Sequence, residues 1–259
     1  MQTDFTLEVA KGRVKGHSII HKFGRNPAVG TSEEDLWTVG GLYTWQTSGF
    51  TLEAISDNVN DTIAGTGARK IIVGGLKADT WELISEEIEM NGTSASLPTI
   101  NEFIRVNRAF VSEVGSYQTT TTSGGQAGTI NVRISGGGAG QCEMLVDSGV
   151  NKGQTQIGRY SVPAGYVAYI YGIYLWVSSG KVATVSMWQR PRANHVTSQI
   201  RPKRLLEKYD GVDSPQQQVF TFPQRIDGNS DMWFSASVDA QTGIISVDWD
   251  MVLVQTDIP

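Results

Sequence analysis

Along this chain, apolar residues alternate with polar ones over short runs far more often than they recur at helical spacing, which predicts strands. Thr51–Ile55, Arg69–Val73 before a Gly74-Gly75 break, and Thr129–Ile134 read this way in the first half. In the second half, Thr155–Val162 runs into a Pro163-Ala164-Gly165 turn, and Tyr166–Val177 follows. A Ser178–Lys181 turn leads to Val182–Arg190, and Gln218–Pro223, Asp231–Val238 and Ile245–Val254 add three more strands. Trp81–Met90 has a charge spacing compatible with a short helix. Its place between Gly75 and Asn91-Gly92 predicts a strand, because Asn-Gly after an alternating run is a hairpin signal. Ile100–Val106 with Ala109–Val111 reads as a further strand, with a capped helical turn also possible at Thr99–Glu102.

Two of these strands carry more detail. In the last one, Val247, Trp249, Met251 and Leu253 share a face that belongs in a core, while Asp248 and Asp250 lie on the other with Val252 and Val254. Tyr166–Val177 is apolar in both phases, so it is expected to be central, or to have one face covered by another subunit.

The predicted fold class is therefore all-β: a β-rich N-terminal region followed by a jelly-roll-like β-sandwich. Residues 1–35 show little periodicity and are expected to form an N-terminal arm that orders against a neighbouring subunit. Residues 36–138 form the first domain and 139–259 the sandwich, with Gly136–Gly140 as the hinge between them. Ser116–Gly128, with Thr119–Thr122 at its centre, reads as a loop or hairpin tip, and Lys203–Tyr209 as a short helix.

Composition agrees with this picture and removes several function classes. Hydrophobic residues make up 39% and charged residues 18%, while 29 glycines supply turns. A net charge of −5 argues against a general nucleic-acid binder. The one cysteine, Cys142, allows no intrachain disulfide and reads as a small buried residue of a chain that folds in a reducing cytoplasm. No run is long enough to span a membrane, and Met1–Phe5 lacks the basic and apolar segments of a secretory leader.

Candidate chemistry is sparse. The carboxylate pairs in Glu33-Glu34-Asp35, in Glu86-Glu87 with Glu89, and in Asp248/Asp250 read as solvated strand or loop faces rather than a glycosidase pair. Asp57–Asp61 offers oxygen ligands without the glycine and terminal Glu of a calcium loop. Gly65–Arg69 and Gly136–Gly140 lack the Gly-Lys-Ser/Thr ending of a phosphate loop. His17 and His21 have zinc-like helical spacing but no Glu between them and no third ligand. No catalytic residue, cofactor or metal ligand is assigned. Aromatic residues interleaved with aliphatic ones are expected in the core, although exposed aromatics beside carboxylates in one groove would favour glycan binding.

Residues 35–108 carry a motif order: Asp35-Leu36-Trp37-x-x-Gly40-Gly41-x-Tyr43-x-Trp45, then Ser56–Arg69, Lys70–Leu76, Asn91-Gly92-Thr93 and Arg105–Ala109. This order resembles virion structural proteins of tailed bacteriophages. The resemblance implies a non-enzymatic virion subunit, made in the host cytoplasm. Its expected role is a capsid decoration or cement protein whose trimers bridge major capsid subunits. A tail, neck or fibre-base component, a host-glycan receptor-binding module and a glycan hydrolase are the alternatives. The expected subunit contacts are Lys11, Arg13, Lys15, Phe23 and Arg25 in the arm, and Arg190, Arg192, Arg201, Lys203 and Arg204 in a proline-interrupted cationic loop. A protein partner is expected there rather than nucleic acid or a membrane.

Overall fold

A computed structural model describes residues 5–117, 124–147, 149–197 and 199–256. The expected loop tip at Thr119–Thr122 and the residues Met1–Asp4 lie outside the described residues. From the N-terminus come α1 (Phe5–Ala10), β1 (His17–Val29), β2 (Glu34–Asp35), β3 (Leu52–Ser56), β4 (Ala68–Lys77) and β5 (Leu83–Glu89). Then follow β6 (Phe103–Val114), β7 (Ile130–Ile134), β8 (Gly140–Met144), β9 (Val146–Asp147) and β10 (Val150–Asn151). The chain ends with β11 (Arg159–Val162), β12 (Tyr166–Val177), β13 (Ala183–Arg190), β14 (Arg204–Val212), β15 (Gln216–Ile226), β16 (Ser230–Val238) and β17 (Gly243–Gln255). The protein is all-β, as its alternation predicts. No helix among the described residues is long and apolar enough to cross a membrane.

Two compact units emerge, and their boundaries differ from those expected. One unit joins residues 1–36 to 158–259, and the other spans 37–157. In the first, one sheet has the order β1-β17-β12-β15, and the other has β11-β16-β13-β14 with β2 also paired to β16. Both β2 and β11 lie on the same side of β16: Asp35 and Glu34 pair with Ser235 and Ala236, while Arg159–Val162 pairs with Trp233–Ser230. They are two halves of one strand. Counted that way, the eight strands have the order 1-8-3-6 in one sheet and 2-7-4-5 in the other. This is the order obtained by rolling up a long antiparallel hairpin, a jelly roll.

The remaining unit is thus an insert within the second strand of the jelly roll. The strand break is tightly tied. Leu36 N donates to Phe234 O at 2.9 Å, Phe234 N donates to Gly158 O at 2.8 Å, and Gly158 N donates to Leu36 O at 2.6 Å. A Cβ at Gly24 of β1 would stand 2.3 Å from Gly158 Cα, so the backbones meet where only glycine fits.

Residues 17–29, expected in a loose arm, are instead a 13-residue strand paired along β17 from His17↔Val254 to Val29↔Gly243. Turn-forming Gly24 and Pro27 obscured its pattern. The jelly-roll core brings Ile173, Leu175, Val247, Trp249 and Met251 of one sheet against Val185, Met187, Met232 and Phe234 of the other. Trp249 is fully buried, its ring 5.0 Å from Phe234. The assignment of faces in the last strand holds. In β12 the alternation is broken by a register shift between Ile170 and Gly172. The bulge puts Ile170 in phase with Ile173, Leu175 and Val177 inside, and leaves Tyr171, Tyr174 and Trp176 outside. The strand is central, but its outer aromatics are exposed in this chain.

The insert packs two three-stranded antiparallel sheets, β3-β7-β8 and β5-β4-β6, around Leu52, Ile71, Phe103, Ile130, Cys142 and Met144. A small β9–β10 hairpin completes it. Trp81–Met90 does contain a strand, but β5 pairs back to β4, and residues 90–102 pass on to β6 on the other side of β4. Asn91-Gly92 is therefore not a hairpin turn. Gly92 N donates to Asp61 O at 2.7 Å instead, joining the 56–61 loop. The expected hinge at Gly136–Gly140 is the turn of the β7–β8 hairpin. Gly136 and Gly137, at φ 80° and 79°, donate to the Glu53 carboxylate of β3 at 2.9 and 3.1 Å.

Candidate functional site

The expected helix over Lys203–Tyr209 is a strand, β14, because Leu206 and Tyr209 pack on the jelly-roll core and its backbone pairs with β13. Between β13 and β14 the described residues 191–197 and 199–203 are irregular, held open by Pro191 and Pro202 and by positive φ at Arg192 and Gln199. Buried Ala193 anchors this connection, its N–H donating to Asn229 O at 2.6 Å. Asn229 sits at φ 56° in the 227–229 turn that carries the chain from β15 in one sheet to β16 in the other.

These two connections enclose a cleft of about 530 Å³. Arg192, His195, Arg201 and Arg204 line it from the loop side, Arg225 and Asp227 from the turn side. Arg225 Nε donates to Asp227 at 2.8 Å. Arg192, Arg201 and Arg204 have no carboxylate within ion-pairing distance among the described residues. Three unneutralised guanidiniums in one cleft of a chain with net charge −5 form a local anion-seeking surface.

The structure sorts the ten expected contact residues into separate places. Arg192, Arg201 and Arg204 come together in the cleft. Arg190 and Lys203 are drawn onto tryptophans: the Arg190 guanidinium lies 5.7 Å from the Trp233 ring, and Lys203 Nζ lies 4.1 Å from Trp188. The two indoles stack at 6.4 Å. Lys11 and Arg13 pair with Glu8 at 2.9 and 3.4 Å, and Lys15 is exposed in the turn before β1. Phe23 and Arg25 stand on the outer face of the β1 sheet, in register with Asp248 and Ser246. His195, which lies within the cationic run but was not among the expected contacts, belongs to the cleft, and so does Arg225, which sequence reasoning missed. Arg225 lies past Pro223, where the alternating run stopped, and the Asp-Gly-Asn turn after it was the available signal.

The other candidates resolve into structure. His17 and His21 are on a strand, so their spacing separates them by about 13 Å. His17 Nδ1 lies 2.9 Å from Lys15 O, and His21 Nδ1 lies 2.7 Å from Asp250. In the possible calcium loop, fully buried Asp61 accepts from Ser56 Oγ and from the amides of Ala68, Ala127 and Gly128, at 2.6–2.9 Å. Four protein donors already satisfy that carboxylate. The conspicuous aromatics of the 35–108 motif order form a chain of edge-on rings, Trp37 to Tyr43 at 5.4 Å and Tyr43 to Trp45 at 4.9 Å. Buried Arg105 is sandwiched between Trp45 and Trp81, 5.2 and 5.0 Å from their ring centres. Its guanidinium also donates to Gln46 O at 2.7 Å. The motif is a folding device of the insert.

No protein-family model and no curated protein matches the chain. Among solved structures, particles derived from infectious bursal virus match over 93% of this chain and 70% of theirs, at 9% identity and a TM-score of 0.27. Infectious bursal disease virus of the Gt strain matches over 93% and 73%, at 12% identity and a TM-score of 0.25. The VP2 subviral particle of the same virus matches over 94% and 77%, at 10% identity and a TM-score of 0.20. No residue correspondence is drawn from these matches.

Proposed function

We propose that this chain is a non-enzymatic structural subunit of a virus particle, and that its finer role is capsid decoration or cement in a tailed bacteriophage. The observation that carries the proposal is the arginine cleft: a built, unneutralised cationic surface at one end of a jelly roll whose interior is filled by apolar side chains. A fold alone does not assign a function. Here, the cleft and the motif resemblance converge on a subunit that holds an acidic protein surface. Many copies, each contributing a modest interface, reinforce a shell through avidity.

The contact mechanism differs from arm exchange, since residues 17–29 are built into the chain's own sheet. Docking through Arg192, Arg201, Arg204 and Arg225 takes its place. Association by this route weakens steeply as salt rises.

Cryo-electron microscopy of purified particles tests the assignment. Density for this jelly roll on the shell, with the cleft facing acidic side chains of the capsid subunit, is the expected result. Density confined to the tail sinks the cement role, and absence from particles sinks the virion role.

A further inference from the structure

The outer face of the β1-β17-β12-β15 sheet carries a second concavity, of about 380 Å³, within the range of small-ligand sites. Its floor comes from the bulge described above. Once β12 shifts phase at Tyr171–Gly172, Tyr174 and Trp176 point outward two residues apart, 38% and 45% exposed. Cross-strand register sets polar groups beside each ring. Tyr174 stands opposite Asp248 on one side and Gln217 on the other; Trp176 stands opposite Ser246, and Gln216 lines the rim.

The chemistry of this set is specific. Two aromatic faces offer flat, weakly polar surfaces suited to the C–H face of a pyranose ring. Around them stand a carboxylate acceptor, a hydroxyl, and amides that both donate and accept, a combination that matches neighbouring sugar hydroxyls. Asp248 Oδ1 is shielded from solvent and has no hydrogen-bond partner within the chain. Burial also pushes this carboxyl above its usual range; Asp250 adds to the rise and His21 opposes it. Among the described residues no basic side chain lines the groove, which disfavours sialylated, phosphorylated or nucleic-acid ligands.

From this juxtaposition we infer that the groove of Tyr174, Trp176, Ser246, Asp248 and Gln216/Gln217 is a binding site for a neutral saccharide. The site goes beyond the structural role proposed above and does not depend on it: the arginine cleft belongs to a different pair of connections.

The test uses the full chain. One arm screens free mono- and disaccharides of neutral hexoses, N-acetylhexosamines and deoxyhexoses by saturation-transfer NMR and tryptophan fluorescence. The other screens the same sugars as immobilised polysaccharides. Saturable binding in either arm is expected, and the arm that responds distinguishes a small soluble sugar from a surface polymer. Trp176→Ala and Asp248→Asn should each weaken binding about tenfold or more, with no loss of melting temperature. Phe222→Ala, which removes an 85% exposed ring outside the groove, should leave it unaltered. Absence of binding in both arms, or binding that survives both groove substitutions, overturns the inference. Neither result bears on where the chain sits in a particle.

Discussion

The jelly roll and its insert treat charge in opposite ways. In the insert, Asp61 is enclosed by four donors, Glu53 by Arg133 and two glycine amides, and Arg105 by two indoles and the carbonyls of Gln46 and Ile104. Glu143 is the exception there, raised by burial. In the jelly roll, Arg225 pairs with Asp227 while Arg192, Arg201 and Arg204 line the same cleft without a carboxylate partner among the described residues, and one oxygen of Asp248 is sealed without a donor. Charges satisfied inside the chain specify a fold, whereas charges left unsatisfied at a surface specify something that arrives later. The contrast separates folding residues from recognition residues more sharply than exposure does.

Breaking the insert's networks should produce the largest stability losses. Asp61→Ala strands three backbone amides and a hydroxyl, and is expected to cost on the order of 4 kcal/mol by urea denaturation. Arg105→Ala should follow at roughly 2–3 kcal/mol, accompanied by loss of near-ultraviolet circular dichroism from the Trp45–Trp81 pair. Because the chain has two compact units, denaturation should be followed by a probe in each.

Acid sharpens the comparison further. For Glu53, burial alone would raise the pKa, but the amides of Gly136 and Gly137 and the Arg133 guanidinium outweigh it and hold the carboxyl below its usual range. Its stabilisation is complete above the unfolded carboxyl pKa and is lost as pH falls through the lower folded value. Glu53→Gln should cost about 1–2 kcal/mol at neutral pH, a difference that closes on acidification. Asp248 has the opposite sign. Its raised folded pKa means the folded state holds the proton more tightly, so its ionised form is a burden above that range. Asp248→Asn should be neutral or slightly stabilising near pH 7, with the gain vanishing below the unfolded pKa. Denaturant midpoints across this range decide both cases. The smallest stability effect belongs to Arg201→Glu with Arg204→Glu, within about 0.5 kcal/mol of wild type, whereas the capsid docking proposed above, read by co-sedimentation, should be lost.

Much of the β pattern was legible because alternation survives wherever one face is buried. Val247, Trp249, Met251 and Leu253 were placed correctly on that basis alone. What was illegible has specific causes. Gly24 and Pro27 hide β1 because close backbone approach and a strand irregularity need residues that normally signal turns. Two residues, Glu34 and Asp35, are too short a strand to show any period, so the interrupted strand and the insert's true limits could not be seen. The candidate sites depend on register between distant strands: Asp248 meets Tyr174 only because β17 pairs with β12, and Arg225 joins Arg192 only across two connections.

The interrupted strand also imposes a timetable. Its halves are separated by about 120 residues, a long loop to close if it were unfolded. The insert is complete at Ile157, while β16, which must pair with both halves, begins at Ser230 and emerges from the ribosome later. Within the folded insert, Trp37 and Ile157 are already bridged, so its two ends arrive as neighbours. A chain whose insert has failed to fold offers β16 a severed strand. The insert, made before β16, thus sets the two half-strands side by side for the strand that later pairs with both.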